Sequence, residues 1–360
     1  MRLLHAVTLA ATTAALSLTP LTAQAGTGPD QHIPADISVS VEKRTDREIR
    51  AHWTPERLRA AAEHPAKMPV LKKKHTARAE DTAPAGEQSA HASAHSVKPV
   101  NSTLLTTAAA PTEISVSQEV PYTTAPQYSL VGRLFYDQPD GSGHSCTAAV
   151  IVSNNRNTLW TAGHCVHMGD GSGDAGWMQN MYFIPGYRDG SGPYGAWTVK
   201  SKVVNNEWMD SSDMEDADYA AVVLNDHPTW GKLQDNVGAF GYTFTENLTD
   251  HSDVYDAGYP GEGYNRTDLN AERMMYCYGN TVDAGPWNPF DDRMSMDCDM
   301  GKGSSGGPMI EGKSSTDPRI IGANSHYQTD DAGNRNSDDL FSSEHDSKAG
   351  NTMSAANAIG

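Results

Sequence analysis

The chain has 360 residues, 27 basic and 45 acidic side chains, and a formal net charge of -18. At roughly 100–200 residues per domain, that length leaves room for two or three compact units. The charge is uneven: residues 1–115 carry +2 and residues 116–360 carry -20, an acidity that repels phosphate backbones and anionic lipid and so excludes nucleic acid and membrane surfaces as partners.

Residues 1–25 read as an export signal. Arg2 supplies the positive start, an Ala- and Leu-rich apolar stretch runs to about Leu18, and Ala23-Gln24-Ala25 is a small-x-small cleavage site. Threonines and Ser17 dilute the stretch, which is too short for a membrane anchor. The mature protein is therefore expected outside the cell, without a membrane segment and as a monomer.

Residues 26–120 are rich in Ala, Thr, Pro, Ser and Lys and read as a largely disordered propeptide or linker. One helix signal stands out there. Thr54 is a capping residue, Pro55 suits the first helical position, and Glu56 to Glu63 contains strong helix formers before Pro65 stops the run.

From Tyr128 onward the texture becomes that of an all-β protein. Short runs rich in Val, Ile and aromatic residues (128–136, 147–153, 158–161, 197–204, 219–224 and 319–323) are separated by Gly, Asn, Asp and Pro clusters. No long helical period is evident after residue 120. Residues 346–360, small and polar, are expected to form a flexible tail.

Cys146, Cys165, Cys277 and Cys298 are the four cysteines. An even count in an exported chain predicts two disulfides. Three pairings exist and the sequence does not choose among them, although sequential pairing gives two local loops and is preferred. No C-x-x-C pair suggests a metal site. No cofactor is expected; a structural calcium ion on the acidic surface is the one bound group left open, and no loop has EF-hand ligand spacing.

Three segments carry chemistry. Leu159 to Cys165 is an apolar strand that ends in small residues and presents His164 beside a cysteine, as a fixed general base requires. In Asp216-Ala217-Asp218-Tyr219 an acidic residue opens an apolar strand, and Asp218 is better placed than Asp216 to hold a histidine ring. In Gly301 to Pro308 a tight glycine-rich turn exposes Ser305 as a nucleophile, with the Gly303 and Ser305 amides available to an oxyanion.

The Thr-Ala-Gly-His-Cys run at 161–165 and the Gly-Ser-Ser-Gly-Gly-Pro run at 303–308 resemble the histidine and serine signatures of the chymotrypsin-like (trypsin-like) serine peptidases. The run from Cys298 to Gly303 resembles bacterial extracellular members related to glutamyl endopeptidases. The order His, Asp, Ser agrees with that family and differs from subtilisins and α/β-hydrolases. The resemblance implies two antiparallel six-stranded β-barrels, at 121–235 and 236–345, with the site in the cleft between them. It implies His164 as base, Asp218 as its orienter, Ser305 as nucleophile, Gly303 with Ser305 as oxyanion donors, and a Cys146–Cys165 bridge beside the histidine. Polypeptides are the implied substrates.

Specificity is less legible. Asp299 falls where the trypsin branch places its pocket carboxylate, which favours Arg or Lys in the substrate. Asn324, Ser325 and His326 fall on the strand expected to pair with an extended substrate. Ser304 stands where the family usually has an aspartate, so activation through an ion pair between that aspartate and a new amino terminus is not expected. Two other readings remain: a binding protein on a protease scaffold that has lost catalysis, and a serine esterase, because 303–307 matches G-x-S-x-G. The esterase would need its acid and histidine after the serine, and only 55 residues follow it.

Overall fold

The computed structural model describes residues 33–69, 90–96, 113–121, 126–245, 248–285 and 293–360, so the export signal at 1–25 lies outside the described residues. The chain enters with β1 (Ile37–Val41), α1 (Asp46–His52) and α2 (Pro55–Ala62), and continues through β2 (Ala90–Ala92) and β3 (Ile114–Glu119). The expected Thr54 cap is present: its hydroxyl accepts the Arg57 N–H, and Pro55 opens α2. A capping box between Thr45 and Glu48 starts α1 in the same way.

Six strands then form a closed antiparallel barrel: β4 (Val131–Asp137), β5 (Gly143–Ile151), β6 (Thr158–Thr161), β7 (Gln179–Pro185), β8 (Trp197–Asn205) and β9 (Ala220–Leu224). The barrel runs β4-β5-β6-β9-β8-β7 and returns to β4. It contains the five apolar runs read from residues 128–224. Trp160, Phe183, Trp197 and Val203 on its strands belong to one buried apolar cluster. A short helix α3 (Asn206–Ser211) follows β8, and α4 (Leu233–Val237) leads out of the barrel.

The second half comprises β10 (Gly241–Phe244), β11 (Val254–Gly258), β12 (Met275–Gly279), β13 (Val282–Asp283), β14 (Met294–Asp297), β15 (Pro308–Glu311), β16 (Arg319–His326) and β17 (Asp339–Ser342). They make a sheet ordered β13-β14-β17-β16-β15-β11-β12-β3, with β10 joined to β16 and β2. The expected double-barrel architecture is present, with one difference. Among the described residues the second sheet curls but does not close by hydrogen bonds. The Cys277–Cys298 disulfide ties β12 to the residue after β14 across that seam. Methionines 275, 294, 296, 300 and 309 pack beneath it.

Two expectations about order need correction. Described parts of 26–120 are folded: β1 pairs with β8, β2 with β10 and β3 with β12. Ile49, Trp53, Ala61 and Ala62 bury against the first barrel. The composition hid this because so few apolar side chains do the packing. Residues 346–360 are likewise not a loose tail. Asp346 caps α5 (Ser347–Ala358), which returns to the first barrel and buries Ala349, Gly350, Thr352, Met353, Ala355 and Ala356. Small residues bury by close approach, so no apolar stripe marks this helix in the sequence.

Candidate active site

Strand β6 ends at Thr161, and a single helical turn at Gly163–Cys165 presents His164. The turn is tight because Gly163 lies against Trp208: a Cβ there would meet the indole Cγ at 2.8 Å. Cys165 is bonded to Cys146 on β5, which pins the turn to the barrel, as the resemblance implied. The second bridge joins Cys277 and Cys298, so the pairing is sequential.

Asp218 immediately precedes the Tyr219–Leu224 segment and is fully buried. Its Oδ1 accepts the His164 backbone N–H at 2.8 Å, and its Oδ2 lies 2.8 Å from His164 Nδ1. The Ser325 hydroxyl donates to Oδ2 at 2.5 Å, and Ser343 Oγ accepts the Asp218 N–H at 3.1 Å. Burial alone raises the carboxyl's pKa, but the His164 ring, the Ser325 hydroxyl and the His164 amide outweigh it and hold the group below its ordinary value. An ionised carboxylate only accepts, so Nδ1 of His164 carries a proton, and in the neutral ring Nε2 is the nitrogen with the lone pair. Asp216, the less favoured candidate, sits in the preceding turn, where its N–H donates to Asp213.

The nucleophile turn is held from both halves of the protein. Ser304 N and Oγ both bond to the Gly301 carbonyl, and Gly307 N bonds to Ser304 O. Gly306 N donates to Asn324 O, and Asn324 N donates to Gly307 O. From the first barrel, Thr147 N donates to Ser305 O at 2.8 Å, and Thr147 Oγ1 donates to Gly303 O at 2.9 Å. Gly306 has φ +78°, and a Cβ there would fall 2.0 Å from Thr161 Oγ1, so only glycine fits. Gly303, at φ +95°, is also in the region that favours glycine. The Ser305 side chain is buried beneath this frame. Ser305 Oγ and His164 Nε2 are both enclosed, and neither has a hydrogen-bond partner among the described residues.

The structure thus pairs His164 with Asp218 and brings the Ser305 turn against the same part of the first barrel, through Thr147 and through Cys165, whose sulfur lies 3.7 Å from Ser305 O. It gives different surroundings to the residues assigned to substrate binding. Asp299 is nearly buried, accepts the Ser117 N–H at 2.9 Å and pairs with Arg266 at 3.1 Å. The carboxylate expected to meet a basic substrate side chain is already neutralised by one of the chain's own. Asn324 turns inward and donates to Asp256 at 2.8 Å. Ser325 serves Asp218, as above. His326 stacks on Phe341, and its ring nitrogens meet Ser325 Oγ and Arg293. None of the three exposes its side chain.

Thr147 and Asp256 escaped the sequence reading. Thr147 directly follows Cys146, but its contacts to Gly303 and Ser305 arise only when the two halves meet. Asp256, on β11, is one of many aspartates. Burial pushes its carboxyl up to about 8, with the Asn324 amide and the Ala257 N–H opposing. Two groups of metal-type ligand atoms occur among the described residues. One is Cys146, His164 and Cys165, whose sulfurs are consumed by the disulfide. The other is the partly exposed trio Glu207, Asp213 and Asp216, with Glu207 bound by Lys348.

A family model described as Trypsin matches residues 121–339. Over 137 residues the chain is 32% identical to an extracellular metalloprotease of Bacillus subtilis (strain 168), a stretch that covers 38% of each protein. The chain therefore matches well under half the length of that curated relative. Among solved structures, the protease Anisep from Arthrobacter nicotinovorans is 27% identical with a TM-score of 0.56, covering 67% of this chain and 99% of Anisep. The thermostable serine protease AL20, from an extremophilic microorganism, is 26% identical with a TM-score of 0.54, covering 65% and 100%. A Glu endopeptidase in complex with MPD, at 18% identity and a TM-score of 0.50 over 67% and 96%, shares the fold. Among the described residues no helix is long and apolar enough to cross a membrane.

Proposed function

Because this chain belongs to the trypsin family of serine peptidases, we propose that it is a secreted serine endopeptidase, made as a preproenzyme, that cuts polypeptides through an acyl-enzyme on Ser305. The observation that carries this reading is the Asp218–His164 pair, with His164 Nε2 and Ser305 Oγ each buried and without a hydrogen-bond partner among the described residues, and with Cys165, next to His164, reaching Ser305 O at 3.7 Å.

In the proposed reaction, Ser305 Oγ attacks the scissile carbonyl carbon while His164 Nε2 takes the hydroxyl proton. Asp218 stays ionised, fixes the ring by Nδ1 and stabilises the imidazolium as it forms. The carbonyl oxygen gathers negative charge and is met by the Gly303 and Ser305 N–H groups, which donate to no partner among the described residues. When the C–N bond breaks, the imidazolium returns its proton to the leaving amine. Water then hydrolyses the Ser305 ester, with His164 as base again. Apart from substrate and water, every group in these steps belongs to the chain, so the reaction as written calls on no cofactor.

The export signal and the even, fully paired cysteines support an extracellular location. The test is to incubate the secreted protein with a mixed peptide library and read the products by mass spectrometry, with and without a serine-directed covalent inhibitor. Cleavage that the inhibitor abolishes supports the reading. Cleavage that the inhibitor leaves untouched contradicts it.

A further inference from the structure

After α2 the chain crosses from one half of the protein to the other along a path that passes the candidate site. The Ala62 carbonyl accepts from the buried Arg133 guanidinium at 2.7 Å. Ala66 N donates to Ser145 O at 2.8 Å, and Ser145 directly precedes the disulfide-bonded Cys146. Met68 then enters the methionine core of the second sheet. Between these anchors Pro65 lies on two glycines: a Cβ on Gly261 would meet Pro65 Cγ at 2.9 Å, and one on Gly303 would meet Pro65 Cβ at 3.0 Å. Gly303 is the proposed oxyanion donor, and Ser305 beside it is fully buried.

A substrate carbonyl has to come within about 3 Å of the Gly303 amide. Pro65 already packs on that glycine, so the chain flanking such a carbonyl competes with it for space. Both ends of the segment are tied, one by hydrogen bonds to the first barrel and one by burial in the second sheet, so it does not yield to a passing peptide at no cost.

We propose that His64–Met68 is an inhibitory strap: an internal peptide that occupies the cleft over Gly303 and keeps the full chain latent until it is released. This rests on the reading of Ser305 as the nucleophile. If the strap is closed in about 99 of 100 molecules, only the open fraction binds substrate, and peptide hydrolysis is about 100-fold slower than in the released enzyme.

The test uses the full chain in three forms: wild type, Pro65→Gly/Ala66→Pro, and Ala61→Cys/Gly143→Cys. The first pair of substitutions removes the ring over Gly303 and the N–H bound to Ser145. The second staples the end of α2 to β5. A Cβ on Gly143 would lie 3.3 Å from that of Ala61, close to the about 3.5–4.5 Å that a disulfide spans. Two rates are read: hydrolysis of a fluorogenic peptide mixture, and labelling of Ser305 by a small organophosphonate.

The strap variant should gain about 100-fold over wild type in hydrolysis, with faster labelling. The stapled chain, cut by an exogenous protease at a site introduced between residues 97 and 112, should stay latent while oxidised and become active on mild reduction, which the four buried native cysteines resist. The same cut should activate the unstapled chain directly. Equal hydrolysis by wild type and strap variant, or by oxidised and reduced staple, with Ser305 labelled throughout, overturns the strap and leaves the peptidase reading intact. Failure to label Ser305 in any folded form overturns both. If the strap variant does not fold, the staple decides alone.

Discussion

The Ser325 hydroxyl on β16 donates to Asp218 Oδ2 at 2.5 Å, so the carboxylate bonded to the first half's histidine is gripped from the second half. A hydrogen bond to a charged group contributes about 1.5–3 kcal/mol. Ser325→Ala is therefore expected to lower kcat by about 10- to 100-fold, with little change in KM, and to shift the acid limb of the pH–rate profile upward as Asp218 loses a donor. Steady-state rates across pH check this. An unchanged acid limb would leave Ser325 with a purely structural role.

Asp218 should matter far more than its neighbour. Asp218→Asn is expected to lower kcat by about 10⁴, because the amide no longer enforces the Nδ1–H tautomer. Asp216→Asn should stay near wild type. The sign of the stability effect follows from the depressed carboxyl. Its contribution is present above the unfolded value of about 3.9 and is lost as pH falls through the lower folded value. Denaturation midpoints of wild type and Asp218→Asn should therefore draw together only below about pH 4.

The Arg266–Asp299 pair makes a prediction about specificity. With Arg266 in place, Asp299 should give little preference for basic residues. Arg266→Gln leaves the carboxylate uncompensated, and relative kcat/KM for Arg or Lys before the cut should rise by about tenfold or more. Profiling both proteins on one peptide library checks it. An unchanged profile would mean that Asp299 does not line the specificity pocket.

Asp256 sets an alkaline limit. Its folded pKa is raised to about 8, so the native state holds a proton that the unfolded chain releases from about pH 4 upward. Stability present below that unfolded value is lost as pH rises to about 8. Asp256→Asn keeps the shape and an acceptor for Asn324 but does not titrate. Its stability relative to wild type should grow from pH 4 to 8 and then level off, as read by urea denaturation at each pH. Parallel curves would show that Asp256 does not titrate in this range.

What the sequence made legible was local. Five of the six barrel strands announce themselves through Val, Ile and aromatic runs, while β7 was not read, and α2 shows through Thr54 and Pro55. His164 and Ser305 sit in contiguous motifs whose small residues the turns require, as Gly163 against Trp208 and Gly306 against Thr161 make concrete. What was not legible depends on distant partners. The capping box at Thr45 and Glu48 was readable but lay in a segment whose composition suggested disorder. In α5 the buried face is built of alanine and glycine, and Gly350 approaches so close that a Cβ would lie 2.7 Å from that of Ala90. Arg266 against Asp299, Thr147 against Gly303 and Pro65 over the same glycine are meetings of remote segments that no spacing rule encodes.

The measurement that bears most directly on the central claim is Ser305→Ala compared with wild type, both carrying the Pro65→Gly/Ala66→Pro strap substitutions and checked for folding, in peptide hydrolysis and in covalent labelling by a serine-directed reagent mapped by mass spectrometry. The account predicts a loss of about 10⁴–10⁶-fold in hydrolysis, with the wild-type adduct confined to Ser305 and none in the variant. Near-normal hydrolysis by a folded Ser305→Ala protein, or an inactivating adduct on another residue, would contradict it.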